Sequence, residues 1–177
     1  MEIYFLRHAN AGEPKLSRAK DEQRPLDDLG IEQCHAVGRA LSALDLELDV
    51  LISSPLLRAR QTAAIVAEEL GHKDEIVLDE ALRPEAGYEK FEELLARHKD
   101  SDAIMVVGHN PSQTEFLNQL VSGSATEAIE LKKCAVARVD KKESSQPATL
   151  KWLMPPKVVR AIQQASAKSS RPKTVSK

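Results

Sequence analysis

The sequence predicts an α/β protein built on a mostly parallel sheet, and three observations carry that expectation. Short, uninterrupted apolar runs recur at Ile3-Tyr4-Phe5-Leu6, Val50-Leu51-Ile52 and Ala103-Ile104-Met105-Val106-Val107. Runs of this length mark strands covered on both faces, the usual state of a parallel strand. Each run is followed by a polar turn and then by helical periodicity, the alternation from which such sheets are made. The 177 residues suffice for one domain with a sizeable core and give no reason to divide it.

After the first run, a helix is expected from Asp27 or Asp28, either of which can accept backbone N–H groups as an N-cap. Cys34, Val37, Leu41 and Leu44 recur at spacings of three and four and give it one buried face. After Val50–Ile52, Ser54 is the expected cap, Pro55 the first helical residue and Gly71 the stop, with Leu56, Ala59, Ala63, Val66 and Leu70 facing inward. Ile76–Leu78 reads as a further short strand. A third helix spans roughly Gly87 to His98 and presents Tyr88, Phe91 and Leu95. A fourth opens at Asn110-Pro111-Ser112, where Ser112 and Glu115 fit a capping box, and ends near Gly123. Cys134–Val139 and Thr149–Leu153, separated by the polar Asp140–Ala148, suit a hairpin or neighbouring strands at the sheet edge. Beyond Pro155-Pro156 little packing signal remains, so an irregular basic tail is expected over 157–177, flexible from about 166.

Composition narrows the function classes. From Lys157 on there are six basic residues and no acidic one, so with a net charge of −2 overall the preceding residues carry −8. An acidic body argues against nucleic acid as the main partner. Only 3% of residues are aromatic, which weakens any case for base stacking. Cys34 and Cys134 stand alone among apolar residues, as buried reduced thiols do, and no disulfide framework is expected. The apolar stretch Ile3–Leu6 is too short for a signal-peptide core, and no stretch approaches the ~20 apolar residues of a membrane span. These features predict a cytoplasmic protein with no membrane partner.

The chemistry is positional. Arg7-His8 follows the first strand, Arg58 lies one turn into the helix after the second, and His109 follows the third. Ligands of open α/β sheets bind beyond the carboxyl ends of the strands, so these four groups are expected to meet in one crevice. Two guanidinium forks can each hold two phosphoryl oxygens. A helix N-terminus adds backbone N–H donors. A neutral histidine is a competent nucleophile, because one ring nitrogen can attack while the other is held by a hydrogen bond. That makes His8 the candidate nucleophile. Arg7, Arg58 and His109 are the candidate stabilisers of the charge that spreads over a transferring phosphoryl group. A metal site at His8 and His109 is disfavoured, since no third ligand stands at useful spacing and two arginines would repel a cation.

Three segments, Leu6-Arg7-His8-Ala9, Ser53-Ser54-Pro55-Leu56-Leu57-Arg58-Ala59-Arg60-Gln61-Thr62-Ala63 and Val107-Gly108-His109-Asn110-Pro111, together resemble the histidine phosphatase superfamily, which includes the cofactor-dependent phosphoglycerate mutases. The resemblance spans residues 1 to about 156, expected as the histidine phosphatase domain. It implies a three-layer α/β/α sandwich of phosphoglycerate mutase-like fold, a covalent phosphohistidine at His8, and neither cofactor nor metal. Arg24-Pro25-Leu26 followed by Gly30 is similar to a segment of the short phosphohistidine phosphatases of the SixA type, which makes Arg24 a further candidate phosphate ligand.

Two positions depart from the superfamily pattern. Ala9 replaces a glycine, which is tolerable where the backbone has negative φ. Leu82-Arg83-Pro84 puts proline where mutases and sugar-phosphate phosphatases carry a general-acid glutamate, leaving Glu85 and Glu80 as possible substitutes. Expelling an alkoxide from a phosphate ester needs a proton donor, whereas imidazole, with an unperturbed pKa of ~6.5, leaves more readily. A site without a dedicated acid therefore suits phosphohistidine on a protein, such as a histidine phosphotransfer domain. The alternatives are a small-molecule phosphomonoesterase or mutase using the same pocket, and a non-catalytic binder of phosphoproteins.

Overall fold

The computed structural model describes residues 1–124, 128–142 and 146–169. Its strands are β1 (Glu2–Arg7), β2 (Val50–Ser53), β3 (Val77–Leu78), β4 (Ala103–Gly108), β5 (Val136–Asp140) and β6 (Thr149–Met154). They form one sheet in the order β3-β2-β4-β1-β5-β6. The first four strands in that order run parallel, and β5 and β6 are antiparallel neighbours at one side. The predicted strands and the predicted hairpin are therefore present.

Six α-helices accompany the sheet: α1 (Arg18–Glu22), α2 (Asp28–Ser42), α3 (Leu57–Leu70), α4 (Tyr88–Arg97), α5 (Ser112–Ser122) and α6 (Pro156–Ser169). Alternation along β1 explains the layering. Tyr4 and Leu6 join Met105 and Val107 in a core shared with Val37 of α2, Val66 of α3 and Val159 of α6. Ile3 and Phe5 point the other way and join Ile104 and Val106 against Phe91 of α4 and Phe116 of α5. Strands that bury side chains on both faces leave no room for a polar alternate position, which is why β1 from Ile3 to Leu6 and β4 from Ala103 to Val107 are continuous apolar runs. The three-layer α/β/α sandwich follows directly.

Several local expectations change. Asp27 does cap α2, accepting from the Gly30 amide at 2.8 Å. However, α2 ends at Ser42, so Leu44 lies past it and is exposed. Helix α3 begins at Leu57, with Leu56 and not Ser54 in the cap position and no side-chain cap bond. Ser112 makes no capping box at the start of α5, because its hydroxyl donates to the carbonyls of His109 and Arg83 instead. In both places, groups that could finish a helix are drawn towards the crevice.

The irregular tail expected from 157 is also corrected, since α6 occupies Pro156–Ser169 and packs on α2. Among its described side chains Pro156 and Val159 are buried while Val158 and Ile162 are exposed, and Gln163 donates to the Ala36 carbonyl at 2.9 Å and Arg160 pairs with Glu32 at 3.3 Å. A helix docked mainly by polar contacts leaves little hydrophobic period to read. Residues 170–177 of the expected tail lie outside the described residues. Among the described residues, no helix is long and apolar enough to cross a membrane.

Candidate active site

Parallel register brings the strand ends level. Arg7 of β1 stands opposite Gly108 of β4, and Ser53 of β2 opposite Val107. The next residues stay clipped to the sheet: the His8 amide donates to the Gly108 carbonyl and the Ser54 amide to the Val107 carbonyl, each at 2.9 Å. His8 and His109 are thereby forced together, their ring centroids 4.9 Å apart and tilted by 51°. Gly108 is required between the strand and the second histidine, since a Cβ there would lie 2.9 Å from the Leu82 carbonyl oxygen.

The hydrogen bonds fix one tautomer. His8 Nδ1 lies 2.7 Å from the carbonyl oxygen of Ala9. A carbonyl can only accept, so Nδ1 carries the proton and Nε2 of the neutral ring keeps its lone pair. His109 Nε2 lies 2.9 Å from Ser54 Oγ. The Ser54 hydroxyl already accepts from the Leu56 amide at 3.4 Å and has its own proton free to donate to that nitrogen. With Ser54 as the donor, the ring proton of His109 sits on Nδ1, which has no acceptor. Ala9 is absent from the residues with positive φ, so its methyl group brings no backbone strain.

The guanidinium groups arrive from three segments. Arg58 is carried by the first turn of α3 and is buried, its Nη1 donating to the Asp21 carbonyl at 2.9 Å and to Asp21 Oδ2 at 3.3 Å. Arg24, also buried, donates from Nε to Asp21 Oδ1 at 2.8 Å and from Nη1 to the carbonyls of Ala11 and Gly12. Arg7 is half-buried and donates from Nη1 to the Leu131 carbonyl at 2.9 Å. The Gly30 of the Arg24-Pro25-Leu26 segment has a steric reason, because a Cβ there would come within 2.0 Å of the Asn10 carbonyl oxygen.

Five buried side-chain atoms among the described residues lack a hydrogen-bond partner, and three of them are Arg7 Nε, Arg58 Nε and His109 Nδ1. Each buried, unsatisfied donor costs about 1–3 kcal/mol. Concentrating three of them beside one histidine makes a cradle for an anion.

Electrostatics set the protonation states. Burial pushes His8 down to about 3, against the Ala9 bond, with Arg58, Arg7 and Lys133 adding to the depression. Burial likewise lowers His109 to about 2, helped by His8 and the arginines. Both rings are neutral at neutral pH. Arg7 and Arg58 are lowered by burial yet remain cations.

The two candidate acids stand elsewhere. Glu85 is exposed and pairs with Arg18 at 2.7 Å, and Glu80 is exposed and pairs with Arg83. Neither is hydrogen-bonded to His8, His109, Arg7, Arg24 or Arg58.

Sequence reasoning missed three contributors. Asp21, on the five-residue α1, holds both Arg24 and Arg58. It sits in the run Lys20-Asp21-Glu22, which reads as ordinary surface charge. Thr62 accepts from the Ala9 amide at 3.1 Å and donates to the Arg58 carbonyl at 2.8 Å. Its position four residues after Arg58, on the same helix face, is the signal that would have found it. Lys133 donates to Asn10 Oδ1 at 2.8 Å, and nothing in its local sequence distinguishes it from Lys132.

The family model described as histidine phosphatase superfamily (branch 1) matches residues 3–94. An uncharacterised protein of Picosynechococcus sp. is 33% identical over 168 residues, covering 88% of this chain and 100% of its own. Phosphohistidine phosphatase SixA of Escherichia coli is 25% identical over 167 residues, covering 92% and 100%. The solved structure of the protein histidine phosphatase SixA complexed with tungstate shares the fold. Its TM-score is 0.79 at 24% identity, over 90% of this chain and 99% of that one.

Proposed function

Because the chain belongs to the histidine phosphatase superfamily, we propose that it hydrolyses phosphohistidine on a protein through a covalent phosphohistidine at its own His8. The observation that carries this reading is the fixed tautomer of a buried, neutral His8, which leaves Nε2 as an unprotonated nucleophile inside a cationic cradle.

In the first step, Nε2 of His8 attacks phosphorus in line while the Arg7, Arg58 and His109 donors hold the equatorial oxygens, with Arg24 beside them. The bond from phosphorus to the substrate nitrogen breaks, and the substrate ring, protonated on its other nitrogen, leaves as neutral imidazole. His8 keeps its Nδ1 proton on the Ala9 carbonyl throughout, so the ring becomes an N-phosphorylated imidazolium. In the second step, water attacks phosphorus and releases a proton to solvent. Nε2 regains its electron pair, and inorganic phosphate departs.

The choice of phosphohistidine over an ester is supported by the engagement of Glu80 and Glu85 with arginines away from the cradle. Without a positioned acid, imidazole is the easier leaving group. It is further supported by the similarity to SixA over 92% of the chain. A histidine phosphotransfer domain of a signalling relay is the matching partner, and the free, buried Cys34 and Cys134 suit a cytoplasmic setting.

The test compares a phosphohistidine protein, free phosphohistidine, phosphoglycerate and several sugar phosphates as substrates, with acid-labile phosphoenzyme trapped in parallel. The expected result is fastest turnover of the protein substrate, with label on the wild type and none on His8→Ala. Rapid ester hydrolysis with no activity on the phosphohistidine protein would overturn the specificity, and unlabelled wild-type protein during turnover would overturn the nucleophile.

A further inference from the structure

The turn between α5 and β5 is fastened to the nucleophile from both sides. Before Lys133, the Leu131 carbonyl accepts from Arg7 Nη1 at 2.9 Å and from Asn110 Nδ2 at 3.0 Å. After it, the Cys134 amide donates to the Arg7 carbonyl at 3.0 Å and to the His8 carbonyl at 3.2 Å. Lys133 is carried between these anchor points, so its position relative to His8 is set by backbone bonds.

Its partner is unusual for a lysine. Lys133 is half-buried, and its only hydrogen bond among the described residues goes to the neutral amide oxygen Asn10 Oδ1. Apart from Arg7, the neighbouring cations are matched to carboxylates: Lys132 to Glu130, Arg24 and Arg58 to Asp21, and Arg83 to Glu22 and Glu80. Asn10 is itself held, its Nδ2 donating to Asp27 Oδ2 at 2.6 Å and its amide to Gln33 Oε1 at 3.0 Å. The acceptor therefore stays in place when the lysine moves.

Resting on the reading of the cradle as a phosphate pocket, we propose that Lys133 is a fourth phosphoryl-binding cation, exchanging Asn10 Oδ1 for a phosphoryl oxygen when substrate enters. An anionic oxygen adds a charge–charge attraction to the ammonium that the neutral amide oxygen of Asn10 does not offer, so the exchange is downhill once the anion arrives. The positive charge of Lys133 already reaches the His8 ring, where it opposes protonation. Within the phosphoenzyme, the same charge lies where the phosphoryl dianion sits.

Inorganic phosphate is the probe, which keeps the test independent of the substrate panel. Calorimetric titration of Lys133→Met is expected to show about tenfold weaker phosphate binding than wild type, one good charged hydrogen bond. Lys133→Arg should stay within about threefold of wild type. In the unmodified protein, the Lys133 Nζ resonance should shift on adding phosphate and saturate with the calorimetric affinity, a change that a purely structural lysine would not make. Arg58→Met serves as the control for the pocket. If it weakens phosphate binding while Lys133→Met binds as wild type does, the role of Lys133 is overturned. If neither variant weakens binding, the pocket reading falls with it. Should Lys133→Met not fold, an unshifted Nζ resonance at saturating phosphate overturns the proposal alone.

Discussion

The hydroxyl of Thr62 bridges the two halves of the cradle, accepting from the amide of Ala9 and donating to the carbonyl of Arg58. One side chain on α3 thus fixes both Ala9, the residue after His8, and Arg58. Thr62→Val keeps the shape and leaves the buried Ala9 amide without an acceptor, which should cost about 1–3 kcal/mol. For a chain of this size that is a fall in melting temperature of roughly 2–4 °C per kcal/mol. Phosphohistidine hydrolysis should fall with it, and Thr62→Ser should recover both. Equal stability of Thr62→Val and wild type in urea titrations would refute the bridge.

The protonation of His8 gives a signed pH dependence. Its folded value, about 3, lies below the ordinary 6.5, so between those limits the unfolded chain binds more protons than the folded one. The contribution of neutral His8 is therefore complete above the ordinary value and is lost as pH falls towards the folded one. His8→Gln should lose less stability than wild type between pH 7 and pH 4.5, compared by denaturant midpoint. Activity should likewise persist below the pH at which an ordinary histidine would be protonated. Parallel stability curves for the two proteins would contradict a neutral His8.

Gly30 and Gly87 form a matched pair of controls. A Cβ on Gly30 would lie 2.0 Å from the Asn10 carbonyl oxygen, whereas one on Gly87 meets nothing within 4 Å. Backbone cannot step aside as a flexible side chain can, so Gly30→Ala should destabilise by about 2 kcal/mol or more, in the range for overpacking. Gly87→Ala, at the exposed N-cap position of α4, should cost no more than about 1 kcal/mol. Thermal unfolding of the two variants side by side checks the contrast.

Asp21 orients Arg24 and Arg58 at once, and its own carboxyl group is held below the usual range by its backbone and arginine partners, against a burial effect. Asp21→Ala should lower kcat/KM for phosphohistidine by about tenfold, the scale of one charged hydrogen bond. Asp21→Asn, which keeps an oxygen for Arg24 Nε, should lose less. Steady-state kinetics of both variants decide the matter, and identical kinetics for Asp21→Ala and wild type would remove Asp21 from the site.

The parts of this molecule that were legible in the sequence are those that physics writes locally. β1, β2 and β4 are buried on both faces, so their apolar runs announce them, and the parallel arrangement then forces Arg7, His8, Ser54 and His109 to one end. Helix α1 has no buried residue and only five positions, so it leaves no periodic trace, and Asp21 was invisible with it. Helix α6 docks through Gln163 and Arg160 more than through apolar side chains, and its sequence reads as a solvated tail. Lys133 belongs to an irregular turn whose placement depends on the carbonyls of Arg7 and His8, more than a hundred residues away along the chain. Contacts of that range have no local signature.

The placement of β1 bears on how the chain is made. It precedes the other strands of its sheet along the chain, yet it lies in the interior of the sheet between β4 and β5, whose residues 103–108 and 136–140 come much later. Until translation has passed Asp140, the segment bearing His8 has an unpaired edge on at least one side. Pairings of such long sequence separation fold slowly, so the crevice around His8 is completed late, after β5 has been made.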